Sequence, residues 1–377
     1  MLKTVLVGFG KIAAGYSADR RMNKFIKYST HVKILKDHPN FLLKAVVDNA
    51  QNTLDEAKRT WGVEEAVQTV EQLKDLSQFD VAVIAIPPKG RLDIIKKFNN
   101  LKAIILEKPL AENIDEARRI KEFCESRKIL VQVNFPRRFD DKIISHLENL
   151  SDQIGEIQCA FGIYGNGLQN NGSHLIDLAR LFLGDVKWVQ SQANGNIFLE
   201  GPILNDKNYP FTLGFKSNVN LMVQVVKYEY YRELKLDIWG TKGYISFIQE
   251  SLLSSLSLKS NHRFLENNFE IKSDKPIYNL MDQSNAMYKV YSNLYDAIIG
   301  KDILKSNLLD ALELMSIVNN IEISNYNNDQ SSFQIEFESE SRELVKTIDL
   351  LGRENSNNTI KINIYNNGFV EKIYLLK

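Results

Sequence analysis

Five short apolar runs recur in the first part of the chain: Val5–Val7, Phe41–Val47, Val81–Ile86, Ala103–Leu106 and Ile129–Val133. Runs this short and this apolar read as strands buried on both faces. Between them, residues 52–60, 71–76, 90–98 and 113–127 carry the helical period, with Asn113 placed to cap the last stretch and Asp115 and Glu116 in its first turn. Strands that alternate with helices form a parallel sheet covered on both sides, so the fold class predicted here is α/β and doubly wound.

At 377 residues the chain exceeds what one ordinary core accommodates. Residues 155–164, 186–198, 209–228 and 233–248 alternate as strands of a second sheet, with a turn at Asn218, and two amphipathic helices follow at 285–299 and 307–323. The organisation expected is an N-terminal domain over 1–125, an α+β domain with a large open, mostly antiparallel sheet over 126–325, and an extension over 326–377. In the extension, Phe333–Phe337 alternates like a strand and Arg342–Leu351 like a helix, while Asn366-Asn367-Gly368 signals a hairpin turn.

Lys+Arg and Asp+Glu both total 47, which argues against a surface built for nucleic acid. The N-terminal run is too short for a signal peptide, and no stretch reaches the roughly 18 apolar residues of a membrane span. A cytoplasmic protein is expected, with no membrane partner. Cys124 and Cys159 have no partner spacing and read as structural thiols, so no metal site is expected.

After the first strand comes Gly8-Phe9-Gly10-Lys11-Ile12-Ala13, which fits the G-x-G-x-x-G/A turn. Gly8 makes the tight turn, Gly10 lets a pyrophosphate approach the backbone, and Ala13 lets helix and strand pack closely. Asp48, at the end of the second strand, can accept hydrogen bonds from ribose hydroxyls and would repel a 2′-phosphate, which favours NAD with NADP as the alternative. It comes later than the usual spacing, so Tyr16–Pro39 must hold an extra loop, from which Arg20 or Arg21 could reach a 2′-phosphate. Asp48 also reads as a cap for the next helix. Pro87-Pro88 ends the third run sharply and would shape the wall beside the nicotinamide.

Glu107-Lys108-Pro109-Leu110 follows the fourth run, at the sheet edge where ligands bind in open α/β folds. A lysine in a dry pocket has a lowered pKa and can steady an alkoxide or pass a proton. Further on, Gly172-Ser173-His174-Leu175-Ile176-Asp177 opens a helix with an apolar stripe, and His174 and Asp177 share a face. A histidine at a helix start beside a carboxylate can act as general base. Tyr164, Asn166 and Gln169, just before that helix, are candidate substrate contacts. Arg138 could bind an acidic group or a sugar hydroxyl, or form a structural ion pair; Tyr228, Tyr230 and Tyr231 read as strand residues more readily than as a sugar platform.

Together with Asn134-Phe135-Pro136-Arg137-Arg138-Phe139, Gly155-Glu156-Ile157 and Gly240-Thr241-Lys242-Gly243, these segments occur in the order seen in the Gfo/Idh/MocA oxidoreductases. The resemblance covers residues 1–325. It implies a Rossmann domain followed by a larger domain whose open sheet supports a sugar site and an oligomer interface, as a homodimer or homotetramer. It implies NAD or NADP held by Gly8, Gly10, Lys11, Ile12, Ala13, Asp48, Pro87, Glu107 and Lys108. The substrate implied is a sugar, nucleotide sugar or cyclitol, met by Lys108, Arg138, Tyr164, Asn170, His174 and Asp177.

Carried over by position, Lys108 holds the reacting hydroxyl and His174 serves as acid/base. Two residues depart from the pattern: Asn170 stands where several members hold aspartate, and Arg91 where many have histidine. Asparagine cannot take a proton, which shifts the burden to His174 and Lys108. The expected activity is hydride transfer between a nicotinamide and a secondary hydroxyl. Its rivals are glycoside cleavage or elimination through transient oxidation, and a non-catalytic NAD-binding role.

Overall fold

In the computed structural model of the protein, residues 1–191, 197–326, 335–336, 344–348, 360–365 and 370–374 are described. The chain divides into two compact units, Met1–Ile335 and Glu336–Lys377.

The first unit opens with β1 (Leu2–Val7), α1 (His31–Asp37), β2 (Phe41–Val47), α2 (Gln51–Trp61), β3 (Glu65–Val67) and β4 (Val81–Ile84). It continues through α3 (Arg91–Lys96), β5 (Ala103–Leu106), α4 (Ile114–Ser126) and β6 (Leu130–Val133). The six strands form a parallel sheet in the order β3-β2-β1-β4-β5-β6. Every residue of β4 and β5 is buried, as covered faces require. The Asn113 side chain accepts from the Glu116 N–H, 2.9 Å away, and so caps α4. Two expectations differ. β3 has only three residues and too little pattern to read, and the helix expected over 71–76 is reduced to single turns at Val70–Gln72 and Leu76–Gln78.

The extra loop in the first crossover is sharply placed. The N–H groups of His31 and Val32 donate to the carbonyls of Ile12 and Ala13 at 3.1 and 2.9 Å. Helix α1 thus resumes directly on the glycine turn, and residues 14–30 are looped out beside it.

Next come α5 (Asp141–Glu148), α6 (Leu150–Ile154), β7 (Ile157–Tyr164), α7 (Ser173–Leu183), β8 (Val186–Ser191), β9 (Phe198–Leu199) and β10 (Lys207–Asn208). Then follow β11 (Phe211–Phe215), β12 (Asn220–Val225), β13 (Lys235–Gly240), β14 (Gly243–Ile248), β15 (Leu253–Asn261), β16 (Phe269–Ile271) and β17 (Ile277–Leu280). The helices α8 (Gln283–Ile298) and α9 (Leu308–Tyr326) follow. The second sheet runs β16-β15-β14-β13-β7-β12-β11-β8, with β17 also on β15. Only the β7–β12 pair within that run is parallel. Helix α7 lies on one face, with Leu175 against Gly162 of β7. On the other face Phe161 and Met222 are 44% and 47% exposed. Helix α8 returns to the first sheet and adds Met287, Tyr291 and Leu294 to its core.

In the second unit Leu344–Ile348, Ile360–Tyr365 and Val370–Tyr374 form an antiparallel sheet. The helix expected over 342–351 is therefore a strand at 344–348: Val345, Thr347 and Ile348 are β-branched, which favours a pleated surface over a helix. The Asn366-Asn367-Gly368 turn and most of the 333–337 segment lie outside the described residues.

Candidate active site

The glycine turn presents bare backbone to the cleft. Gly8 has φ +91°, and a Cβ there would lie 2.7 Å from the Ala85 carbonyl oxygen, so only glycine fits. A Cβ on Gly10 would meet nothing within 4 Å, which leaves open space above that peptide. Among the described residues, nothing accepts a hydrogen bond from the N–H groups of Gly10, Lys11 and Ile12. Unpaired N–H groups gathered in one turn make an anion-binding surface. Ala13 is fully buried, and Lys11 is exposed. The Asp48 carboxylate accepts from the Phe9 N–H at 2.7 Å, the Ala50 N–H at 2.9 Å and the Thr53 hydroxyl at 2.8 Å. It ties the glycine turn to the start of α2 without capping the helix itself, whose N-cap position is held by Ala50 with no side-chain cap.

At the end of β5, Lys108 stands on a braced backbone. Glu107 accepts from Asn134 Nδ2 at 2.6 Å and pairs with His31 Nε2 at 2.9 Å. His31 Nδ1 in turn meets the Tyr291 hydroxyl at 2.7 Å. Burial pushes the Glu107 carboxyl up, but His31, Asn134 and Arg91 outweigh it and hold the group below its usual value. Arg91, 1% exposed, donates to the carbonyls of Glu107, Pro109, Leu110 and Ile86. Its guanidinium therefore fixes the loop on both sides of Lys108 and is turned away from the cleft. Burial lowers the Lys108 pKa to about 8; Arg137 acts in the same direction, while Glu107 and Asp206 oppose it.

Lys108 Nζ donates to the main-chain oxygen and to Oδ1 of Asn170, at 2.7 and 3.0 Å. Asn170 sits in the π-helical turn Leu168–Gly172, which runs straight into α7. One turn further, the His174 ring meets Phe135 edge-on at 5.9 Å between centroids, and its nitrogens have no hydrogen-bond partner among the described residues. Burial, then Lys108 and Arg137, hold its pKa well below the usual value. It is neutral at physiological pH and has a free lone pair.

Several expected contacts lie elsewhere. Tyr164 is fully buried, its hydroxyl bonded at 2.9 Å to both the N–H and the carbonyl of Tyr209. Its place on the core face of β7 removes it from the cleft. Arg138 is spent on Asp177, with Nη2 2.7 Å from Oδ1, and on Asp310 at 2.9 Å. All three charges are largely buried in one another, so Arg138 and Asp177 join α7 to α9 and do not face a ligand. Pro87 is exposed at the rim. Tyr228 donates to the Glu233 carbonyl and accepts from Asn171, whereas Tyr230 and Tyr231 are 75% and 59% exposed. The sequence reading did not single out His31, Asn134, Arg137 or Asp206, although Asn134 and Arg137 lie within a segment it quoted.

A cavity of about 120 Å³ opens on one side of Lys108, lined in part by Phe135, Gln169, Ser173, Met315 and Glu322. Among the described residues no group of side chains could hold a metal ion, and no helix is long and apolar enough to cross a membrane.

Residues 2–135 match the family model described as "Oxidoreductase family, NAD-binding Rossmann fold", and residues 151–246 match the "GFO/IDH/MocA C-terminal domain". The chain belongs to the Gfo/Idh/MocA oxidoreductase family. An uncharacterized oxidoreductase of Schizosaccharomyces pombe is 25% identical over 280 residues, covering 63% of this chain and 75% of that protein. The inositol 2-dehydrogenase of Rhizobium meliloti is 27% identical over 154 residues, 40% of this chain and 43% of that enzyme. Among solved structures, levoglucosan dehydrogenase in complex with NADH and L-sorbose superposes with a TM-score of 0.67 at 17% identity, over 89% of this chain and 98% of that one. At that identity the superposition speaks for the fold.

The residues present suit the dinucleotide that the family's N-terminal domain binds. Among the described residues the N–H groups of Gly10, Lys11 and Ile12 have no acceptor, and the space at Gly10 is open, as a pyrophosphate needs. Asp48, an acid at the end of β2, stands where a ribose would be read.

Proposed function

We propose that this Gfo/Idh/MocA member is an NAD-dependent dehydrogenase acting on a secondary hydroxyl of a sugar, nucleotide sugar or cyclitol. The observation that carries the reading is that Lys108 Nζ is held on Asn170, one turn before His174, whose ring nitrogens have no hydrogen-bond partner among the described residues. Protonated Lys108 binds the reacting oxygen and stabilises the charge that develops on it. His174 takes the hydroxyl proton on its free nitrogen. Bound NAD supplies the hydride acceptor. The Arg91 brace and the Glu107–His31–Tyr291 chain keep Lys108 in register with that oxygen.

The inositol 2-dehydrogenase and levoglucosan dehydrogenase relatives support a polyhydroxylated substrate. Asp48 supports NAD, because a fixed carboxylate repels a 2′-phosphate. The test is a mass spectrum of small molecules released from the purified protein, followed by a panel of sugars and cyclitols assayed for NADH formation. NADH produced in proportion to an oxidised product supports the proposal. Turnover with catalytic NAD and no net NADH would assign the transient-oxidation chemistry instead. Absence of any dinucleotide, with no thermal shift on adding NAD(H) or NADP(H), would sink the cofactor assignment.

A further inference from the structure

The turn that carries Asn170 is closed by its own backbone only at its far end, where the N–H groups of Asn171 and Gly172 reach the Gly167 carbonyl at 2.9 and 3.0 Å. Its leading N–H groups have no helical partners, as at any helix start, and a short π-helical segment is a weak structure in isolation. Side chains from residues 200–208 fill the gap. Glu200 accepts from the Asn166 N–H at 2.8 Å, and Asn208 from the Gly167 N–H at 2.9 Å. Asp206 accepts from Gln169 N–H and Asn170 N–H with its two oxygens, each at 2.9 Å. Gly167 has φ +92°, and a Cβ there would stand 2.0 Å from the Asp206 carboxylate, so the glycine makes room for the acid.

Asp206 is 1% exposed, a costly place for a carboxylate unless it does something there. The Lys108 ammonium opposes the effect of that burial on the carboxylate. The ammonium touches Asn170, and Asn170 is what Asp206 holds. Lys108 therefore gets a neutral amide as its direct partner and an anion one residue behind.

We propose that Asp206 is a positioning residue for Lys108, acting through Asn170: it fixes the turn that receives the ammonium and adds a second negative charge to that of Glu107. This rests on the reading of Lys108 given above. A carboxylate in direct contact would hold the proton too firmly to share near neutral pH, and no carboxylate at all would release it too early. The set-back anion gives an intermediate strength. Burial brings Lys108 down to about 8 and Asp206 up to about 6, and each group's charge opposes the other's shift. The other charged groups acting on Lys108 are Glu107 and Arg137, with the titratable His174 nearby; on Asp206 they are Glu322 of α9 and Lys108 itself, with Lys207 beside Glu322.

The test reads Lys108 directly and needs no substrate. In full-length protein with isotopically labelled lysine, the Lys108 Cε signal is assigned by its loss in Lys108→Arg and followed against pH. Wild type is expected to titrate near 8 with a second inflection near pH 6, as Asp206 takes a proton. Asp206→Asn should remove that inflection and lower the lysine titration by about half to one pH unit; Asp206→Glu should restore most of it. If the wild-type signal shows no inflection near pH 6 and Asp206→Asn leaves the titration in place, Asp206 is only a structural clamp and the proposal is overturned. If Asp206→Asn does not fold, the wild-type inflection decides alone. Failure of the dehydrogenase reading would appear separately, as absence of turnover with an unchanged Lys108 titration.

Discussion

His31 and Glu107 lie 76 positions apart in the chain, yet their side chains meet at 2.9 Å beneath Lys108. Glu107 is also the acceptor for Asn134. Replacing it by alanine strands two polar groups that the fold has already buried. Glu107→Ala should lower stability by about 2–4 kcal/mol in urea unfolding and reduce kcat more than it raises KM. Unchanged stability would show that His31 and Asn134 find other partners.

Lys108→Ala should cut kcat by ~10²–10⁴-fold while the thermal shift produced by NAD stays within a degree or so of wild type. Retained turnover would remove the lysine from the chemistry. His174→Ala belongs in the same experiment, because a proton acceptor and an oxygen-holder that act as a unit give losses that do not add.

The pH dependence separates the two roles open to Lys108. Its folded pKa, about 8, lies below the ordinary lysine value of 10.5, so the charged form is disfavoured by folding. Between those values the unfolded chain binds more protons, and stability rises with pH. Lys108→Met should therefore be more stable than wild type below pH 8, with the advantage fading toward pH 10.5. In activity, an oxygen-holding lysine gives an oxidation rate that falls as pH rises through about 8, whereas a lysine acting as the base gives a rise. His174 contributes no limb near neutrality, because its pKa lies well below the usual value.

Asp48 has both a binding and a structural task, and these can be read separately. Asp48→Ala should weaken NAD binding about tenfold and erase most preference over NADP. Loss of the Phe9, Ala50 and Thr53 hydrogen bonds should also cost about 1–2 kcal/mol of stability. A stability loss with unchanged cofactor preference would leave Asp48 as a structural link between the glycine turn and α2 only.

What the sequence made legible was whatever depends on neighbours in the chain. Phe41–Val47 is a strand as its apolar run implies, and Asn113 caps its helix, because period and capping are local properties. Tyr164 was misplaced because alternation tells which residues share a face but not which face is the core. For Arg138 the sequence left a ligand contact and a structural ion pair equally open, because nothing in its spacing reveals that Asp177 and Asp310, far along the chain, complete an ion-pair set with it. Asp206 was invisible for a different reason: its partners are backbone N–H groups, which every residue has. Strands β15 to β17 went unread because Leu253–Asn261 mixes serines into both faces and blurs the alternation.

The looped-out segment at 14–30 leaves the crossover hydrogen bonds at Ile12 and Ala13 intact. Its two ends are already fastened side by side, so the intervening stretch can vary in length without disturbing the glycine turn, at little more than the cost of closing a loop. It is also anchored at one point, where the Tyr28 N–H reaches the Ser284 carbonyl and its ring lies 4.7 Å from that of Tyr288. The glycine-turn end of this protein thus offers a natural graft site: a foreign peptide that keeps the Tyr28 anchor can be exchanged there while Lys108, beyond a different strand, stays untouched.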